Sequence, residues 1–198
     1  MNTLPLLQQT LGDDWSSLPA VIQRHYQLDP QGNTNSVIHG IMHIHYPGYI
    51  KPVIKIARLM GALIDLKGDA MQVTVSKWIT DNSGVLQWRR DIQAPNGKTT
   101  VFSSRMEYQR DNELIEFVGL GFGIRLRLGV ENHQLIYRSN GHLWQFWKIR
   151  IPIPDVLFLG HATIIEKQVD DESFELDFKI IHPMFGKTYE YGGTFHYQ

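Results

Sequence analysis

Phe174-Glu175-Leu176-Asp177-Phe178-Lys179-Ile180 alternates apolar and charged residues without a break, just after the turn pair Asp170-Asp171. A repeat of two is the signature of a β-strand with one buried face; a helix would scatter these apolar residues around its circumference. The strand is read over 173–181, with Phe174, Leu176, Phe178 and Ile180 inward and the three charged residues outward. Segments 160–169 and 187–197 flank it as strands. Upstream, Phe122, Ile124, Leu126 and Leu128 oppose Arg125 and Arg127 in a strand over 122–130. Further strands are read over 71–80, 84–92, 98–110, 113–119 and 133–147.

The connectors carry turn chemistry. Asp81-Asn82-Ser83-Gly84, Pro95-Asn96-Gly97, Asp111-Asn112 and Glu131-Asn132 supply residues that tolerate tight or left-handed backbone. Gly119-Leu120-Gly121-Phe122-Gly123 lies between two strands rather than opening a helix, so it reads as a tight or bulged hairpin and not as a phosphate loop. Ile151-Pro152-Ile153-Pro154-Asp155 lacks the donors of a central strand and is expected to cross an edge or begin a short turn.

The first third is mixed. Leu4, Leu7 and Leu11 have helical spacing, with Gly12 as a stop, and a second helix is expected from about Ser17 to Tyr26. Asp29 to Asn35 is polar and reads as a loop. Ser36–Tyr46 is the first long strand, with Val37, His39, Ile41, His43 and His45 on one face and Ile38, Met42, Ile44 and Tyr46 on the other. After Pro47-Gly48 the period changes. Ile50, Val53, Ile54, Ala57, Met60 and Ile64 share a helical face opposite Lys51, Lys55 and Arg58, predicting a helix over 50–64 that Gly61 can end early. The expected fold is mainly β: an antiparallel up-and-down barrel or half-barrel of about ten strands, calycin-like, with short N-terminal helices and one helix after the first strand. Closure removes the exposed edges that ten open strands would leave. No linker divides the chain, so residues 1–198 are read as one domain.

Composition narrows the function. With 198 residues, no cysteine and a formal charge of −1, the chain has no disulfide, thiolate metal site or thiol nucleophile, and no bulk field for nucleic acid. The N-terminus lacks a cationic start and a long apolar run, and no stretch is long enough to span a bilayer, which reads as cytoplasmic. His43 and His45 have the spacing of a strand chelate, but no carboxylate follows nearby, so no metal is expected. No cofactor motif is present.

Trp88 and Arg90 share a strand face. An inward arginine beside an indole suits a carboxylate or phosphate head group; the alternative is a guanidinium stacked on Trp88 and paired with Glu107 or Glu116. Arg125 and Arg127 read as an outer face. The helix over 50–64 is read as a cavity lid, its three cations permitting at most peripheral membrane contact. Trp144, Phe146 and Trp147 read as core or rim packing.

The order of Trp88-x-Arg90, Phe102-Ser103, Glu116-x-x-Gly119, His182-Pro183-x-Phe185-Gly186 and Tyr191-x-Gly193 resembles an uncharacterised bacterial family, domain of unknown function 4166. The likeness runs from the Leu18-Pro19 helix start to the C-terminus, with Ile92 standing where the family pattern has Phe. The resemblance implies no established activity. Such domains stand alone or beside membrane segments or nicotinamide-dependent oxidoreductase-like domains, a setting that favours an accessory or binding role. The leading expectation is a small apolar or amphipathic ligand held in the barrel, with Trp88, Arg90, Ser103, Glu116, His182 and Tyr191 as candidate binding residues. The alternatives are an enzyme using a cavity carboxylate, Glu116, beside Arg90, with His182 or Tyr191 converging, and a domain that binds a protein partner.

Overall fold

The computed structural model describes residues 4–28, 35–80, 84–154 and 160–197. Among these residues three α-helices, α1 (Leu6–Leu11), α2 (Ala20–Tyr26) and α3 (Lys51–Leu59), accompany eleven strands. These are β1 (Asn35–His45), β2 (Gly68–Ile79), β3 (Leu86–Gln93), β4 (Thr99–Arg110), β5 (Glu113–Val118), β6 (Phe122–Glu131), β7 (Gln134–Phe146), β8 (Ile149–Ile153), β9 (His161–Gln168), β10 (Ser173–His182) and β11 (Gly186–His196). The expected polar loop over 29–35 falls largely, and the expected turn over 81–84 mostly, outside the described residues, as do Asp155 and the first three residues.

Ten strands close into an antiparallel barrel in the order β6-β5-β4-β3-β2-β1-β11-β10-β9-β7, and pairing of β6 with β7 completes the ring. That pairing removes the half-barrel alternative. β7 serves two partners on its other side. Leu135–Arg138 pairs with β9, and His142–Phe146 pairs with β8, which therefore lies outside the ring. The Pro152 segment forms this outside strand, where a missing donor costs little.

The β1–β2, β3–β4, β5–β6, β7–β8 and β10–β11 connections share one end of the barrel, the lid end, and the opposite base end is closed by α1 and α2. Ser17 O lies 3.0 Å from His133 Nδ1 in the β6–β7 turn, and Arg24 pairs with Glu172 in the β9–β10 turn at 2.7 Å. At the lid end α3 crosses the mouth. Tyr49, just before it, donates its hydroxyl to Phe185 O at 2.9 Å, and just after it Leu120 N–H donates to Met60 O at 3.1 Å.

The helix read over 50–64 is shorter than its pattern. It stops at Leu59 because Gly61 turns left-handed (φ +71°), leaving Ala62–Ile64 to drop into the mouth. Its buried face is also narrower than expected: Ile54 and Ala57 are buried, whereas Val53 is exposed. The histidines of β1 lie on its outer face, and Arg127 on β6 reaches the outer Glu113 at 3.0 Å. Phe146 and Trp147 are not core; both stand exposed at the lid end. Among the described residues no helix is long and apolar enough to cross a membrane.

Candidate functional site

Strand alternation aims four charged side chains into the barrel. Lys77 follows Met71, Val73 and Val75 on the inner phase of β2. Arg90 follows Trp88 on β3, Glu116 follows Leu114 on β5, and Glu166 follows Ala162 and Ile164 on β9. Two cations and two carboxylates in a barrel interior demand partners.

The base-side group is held by α2. Lys77 Nζ donates to the carbonyl of His25, and lies 2.8 Å from His25 Nδ1. Tyr137 donates its hydroxyl to Tyr26 Oη at 2.7 Å, and Tyr26 in turn donates to Glu166 Oε1 at 2.6 Å. Burial, opposed in part by Glu166, brings Lys77 down to about 7. Burial raises Glu166 to about 7, against the Tyr26 hydrogen bond and the nearby cations. His25 is held neutral, first by burial and then by Lys77. Glu166 Oε2 and Trp88 Nε1 are buried and make no hydrogen bond within the described residues. Both residues line a cavity of about 40 Å³, room enough for a water.

Arg90 lies at the next level. Its guanidinium sits 4.9 Å from the Trp88 ring centre and 5.4 Å from that of Phe102. Nη1 donates to Ser104 Oγ at 3.2 Å, its only hydrogen bond among the described residues. Glu116 Oε1 is 3.8 Å from Nη2, an ion pair too long for a hydrogen bond. Tyr191 stacks on Phe178 at 4.5 Å, and burial raises its hydroxyl to about 12. Above this group lies a second cavity of about 80 Å³, roofed by Ala62–Ile64 and walled by residues including Phe102, Phe122, Phe178 and Tyr189. Glu116, Ile164 and Tyr191 line both cavities and form the boundary between them, with Arg90 on the lower side.

The expected residues therefore separate. Trp88, Arg90, Glu116 and Tyr191 meet inside. Ser103 does not: it faces out, and its neighbour Ser104 takes the inner phase and binds Arg90. His182 is buried at the lid end of β10, its ring 4.7 Å from that of Phe185, and lines neither cavity. The convergence of Glu116 with His182 is thus not realised, whereas that with Tyr191 is. Lys77, Glu166, Tyr26 and Tyr137 escaped the sequence reading. The signal was present for the two charges, since each occupies the inward beat of an alternating strand.

A protein-family model described as Domain of unknown function (DUF4166) matches residues 18–195, nearly the whole chain. The chain belongs to this family. Comparisons with curated proteins and with solved structures find no significant match. In this DUF4166 domain two of the three motif glycines, Gly119 and Gly193, mark close approaches of backbone, whereas Gly186 supplies a left-handed turn with open space around it. A Cβ on Gly193 would stand 2.2 Å from Ile41 O, and one on Gly119 only 1.7 Å from Met60 O. Trp88, Arg90, Glu116 and Tyr191 of the DUF4166 motifs thus form an interior set, and Gly119 and Gly193 a set that joins strands and lid.

Proposed function

We propose that the barrel binds a small amphipathic molecule, with its apolar part in the upper cavity under Ala62–Ile64 and its polar end at Arg90, Glu116 and Tyr191. The observation that carries this reading is Arg90: a largely buried guanidinium with one hydrogen bond among the described residues and a distant carboxylate, set beneath an apolar chamber. Such a fork is completed by a ligand carboxylate or similar acceptor. The chamber of about 80 Å³ is smaller than the roughly 150 Å³ that admits benzene. A ligand with an alkyl chain therefore enters by displacing the Met60–Ile64 segment.

The test is native mass spectrometry for a co-purifying molecule, followed by calorimetric titration with a series of straight-chain alkanoates. Wild type is expected to bind one molecule. Arg90→Met/Glu116→Gln, which removes both charges and leaves neither unpaired, is expected to weaken binding by at least about tenfold. Equal affinity in the two proteins, or no co-purifying molecule and no alkanoate binding, sinks the reading.

A second reading, acid–base catalysis, is favoured by Glu166 rather than Glu116. Its carboxyl lies near neutrality and borders the lower cavity, as a proton-transfer group requires. Recovery of the bound molecule with altered mass after incubation would select catalysis; unaltered recovery selects binding.

A further inference from the structure

We propose that the lid end of the barrel docks onto an anionic lipid bilayer. The proposal rests on the outer surface alone and stands whether or not the interior takes a ligand. Its first support is an apolar surface too wide for a lid. α3 buries Ile54 and Ala57, but Val53, Ile56 and Leu59 turn to solvent, with Leu59 88% exposed. A helix that only closed the mouth would carry polar residues at those positions.

Neighbouring turns extend the same surface. Leu120, 70% exposed, follows the backbone bond to Met60 at the end of α3. Its carbonyl accepts the Trp144 indole N–H at 2.9 Å, and the Trp144 ring is 5.7 Å from Phe146. Trp147, 81% exposed, forms the tip of the β7–β8 turn, with Lys148 Nζ 5.8 Å from its ring centre. On the opposite side of the mouth, exposed Tyr49 meets exposed Phe185 at 6.5 Å, and Met184 stands beside them. Bulky tips from several separate loops thus gather at one end of the barrel, the arrangement suited to a planar apolar–polar boundary.

The second support is charge. Among the described residues, the segments that link strands at the lid end carry six exposed cations, Lys51, Lys55, Arg58, Lys67, Lys98 and Lys148. Their one acid is Asp65, which Arg58 holds at 2.9 Å. The base end is the reverse. Its described helices and turns expose six acids, Asp13, Asp14, Asp111, Asp170, Asp171 and Glu172, against the single cation Arg24. A chain of net charge −1 is therefore polarised along the barrel axis. Anionic lipid attracts the lid end and repels the base end, which orients the protein before the apolar tips insert. Interleaved tryptophan and lysine are the side chains that settle at the bilayer interface.

The test is flotation of the full chain with vesicles of equal parts phosphatidylglycerol and phosphatidylcholine, and with pure phosphatidylcholine, while following tryptophan emission. Binding to the anionic vesicles, a blue shift on binding and at least tenfold weaker binding to the neutral ones are expected. Leu59→Ser/Trp147→Ser is expected to lose at least tenfold in affinity, and Lys51→Glu/Lys55→Glu to lose selectivity for the anionic vesicles. All four positions are exposed, so unchanged thermal unfolding is expected in both variants. Failure of wild type to float with anionic vesicles overturns the proposal, as does equal flotation of the variants. A dimer seen by sedimentation that Leu59→Ser/Trp147→Ser abolishes, without vesicle binding, would assign the surface to a second copy instead.

Discussion

Glu166→Gln is expected to erase a loss of stability of roughly 3 kcal/mol that the wild-type barrel undergoes through this carboxyl as pH rises from 4.5 to about 7. Burial lifts the folded carboxyl to about 7, while in the unfolded chain it titrates near 4.5. Between those values the folded state holds a proton that the unfolded state has released. Raising the pH therefore favours unfolding, and the effect is complete above the folded value. Glutamine keeps the acceptor for the Tyr26 hydroxyl and carries no proton to lose. Urea unfolding of both proteins from pH 4 to pH 8 checks this: their difference should be small at the acid end and grow in favour of the variant. A difference that stays constant across the range would refute it. The slope from neutral His25 is common to both proteins and cancels. Lys77 works in the opposite direction. Its folded value of about 7 lies below the usual 10.5, so its contribution rises as pH climbs through that window. The two groups together place a stability minimum near neutrality in the wild type.

Gly119→Ala is expected to destabilise the barrel by about 2–5 kcal/mol and to free the lid. An alanine there adopts φ +38°, a left-handed conformation that costs an L-residue about 1–2 kcal/mol. Its Cβ would also fall 1.7 Å from Met60 O and 2.8 Å from Gly61 Cα, an overlap of the kind that costs about 1–3 kcal/mol to relieve. Relief is possible only by moving the end of α3 off the β5–β6 turn, which breaks the Leu120 N–H to Met60 O bond. The lid then opens over the upper cavity. Thermal unfolding reads the first effect, and faster hydrogen exchange confined to 51–64 and 119–121 reads the second. Gly97→Ala is the control, since its added Cβ meets nothing within 4 Å and leaves α3 untouched. Equal exchange in the lid of both variants would show that Gly119 does not anchor it.

Membership of domain of unknown function 4166 and the β architecture were both legible from residue patterns. Alternation in 173–181 and 122–130 survives in the structure because each strand buries one face, and a slip of one residue would expose every apolar side chain. The same rule set Trp88 and Arg90 inward and Arg127 outward. Ser103 shows its limit: the motif singled out Ser103, but the phase of β4 gives the inner position to Ser104.

Local sequence, through period, turn residues and proline, determined which segments are strands, which side of each is apolar, and that α3 follows β1. Tertiary structure decided the rest. Closure depends on β1 meeting β11, strands from opposite ends of the chain, a contact that no periodicity encodes, because the hydrogen bonds are backbone groups common to every strand. The width of α3's buried face depends on how much of the mouth it covers, so its apolar stripe reads the same whether it faces the core or solvent. The site depends on closure too: Lys77 and Arg90 lie on the paired strands β2 and β3, but Glu116 comes from β5 and Glu166 from β9, far along the chain. Only the curvature of the closed sheet brings their inward phases onto one axis, where low dielectric moves Lys77 and Glu166 towards neutrality.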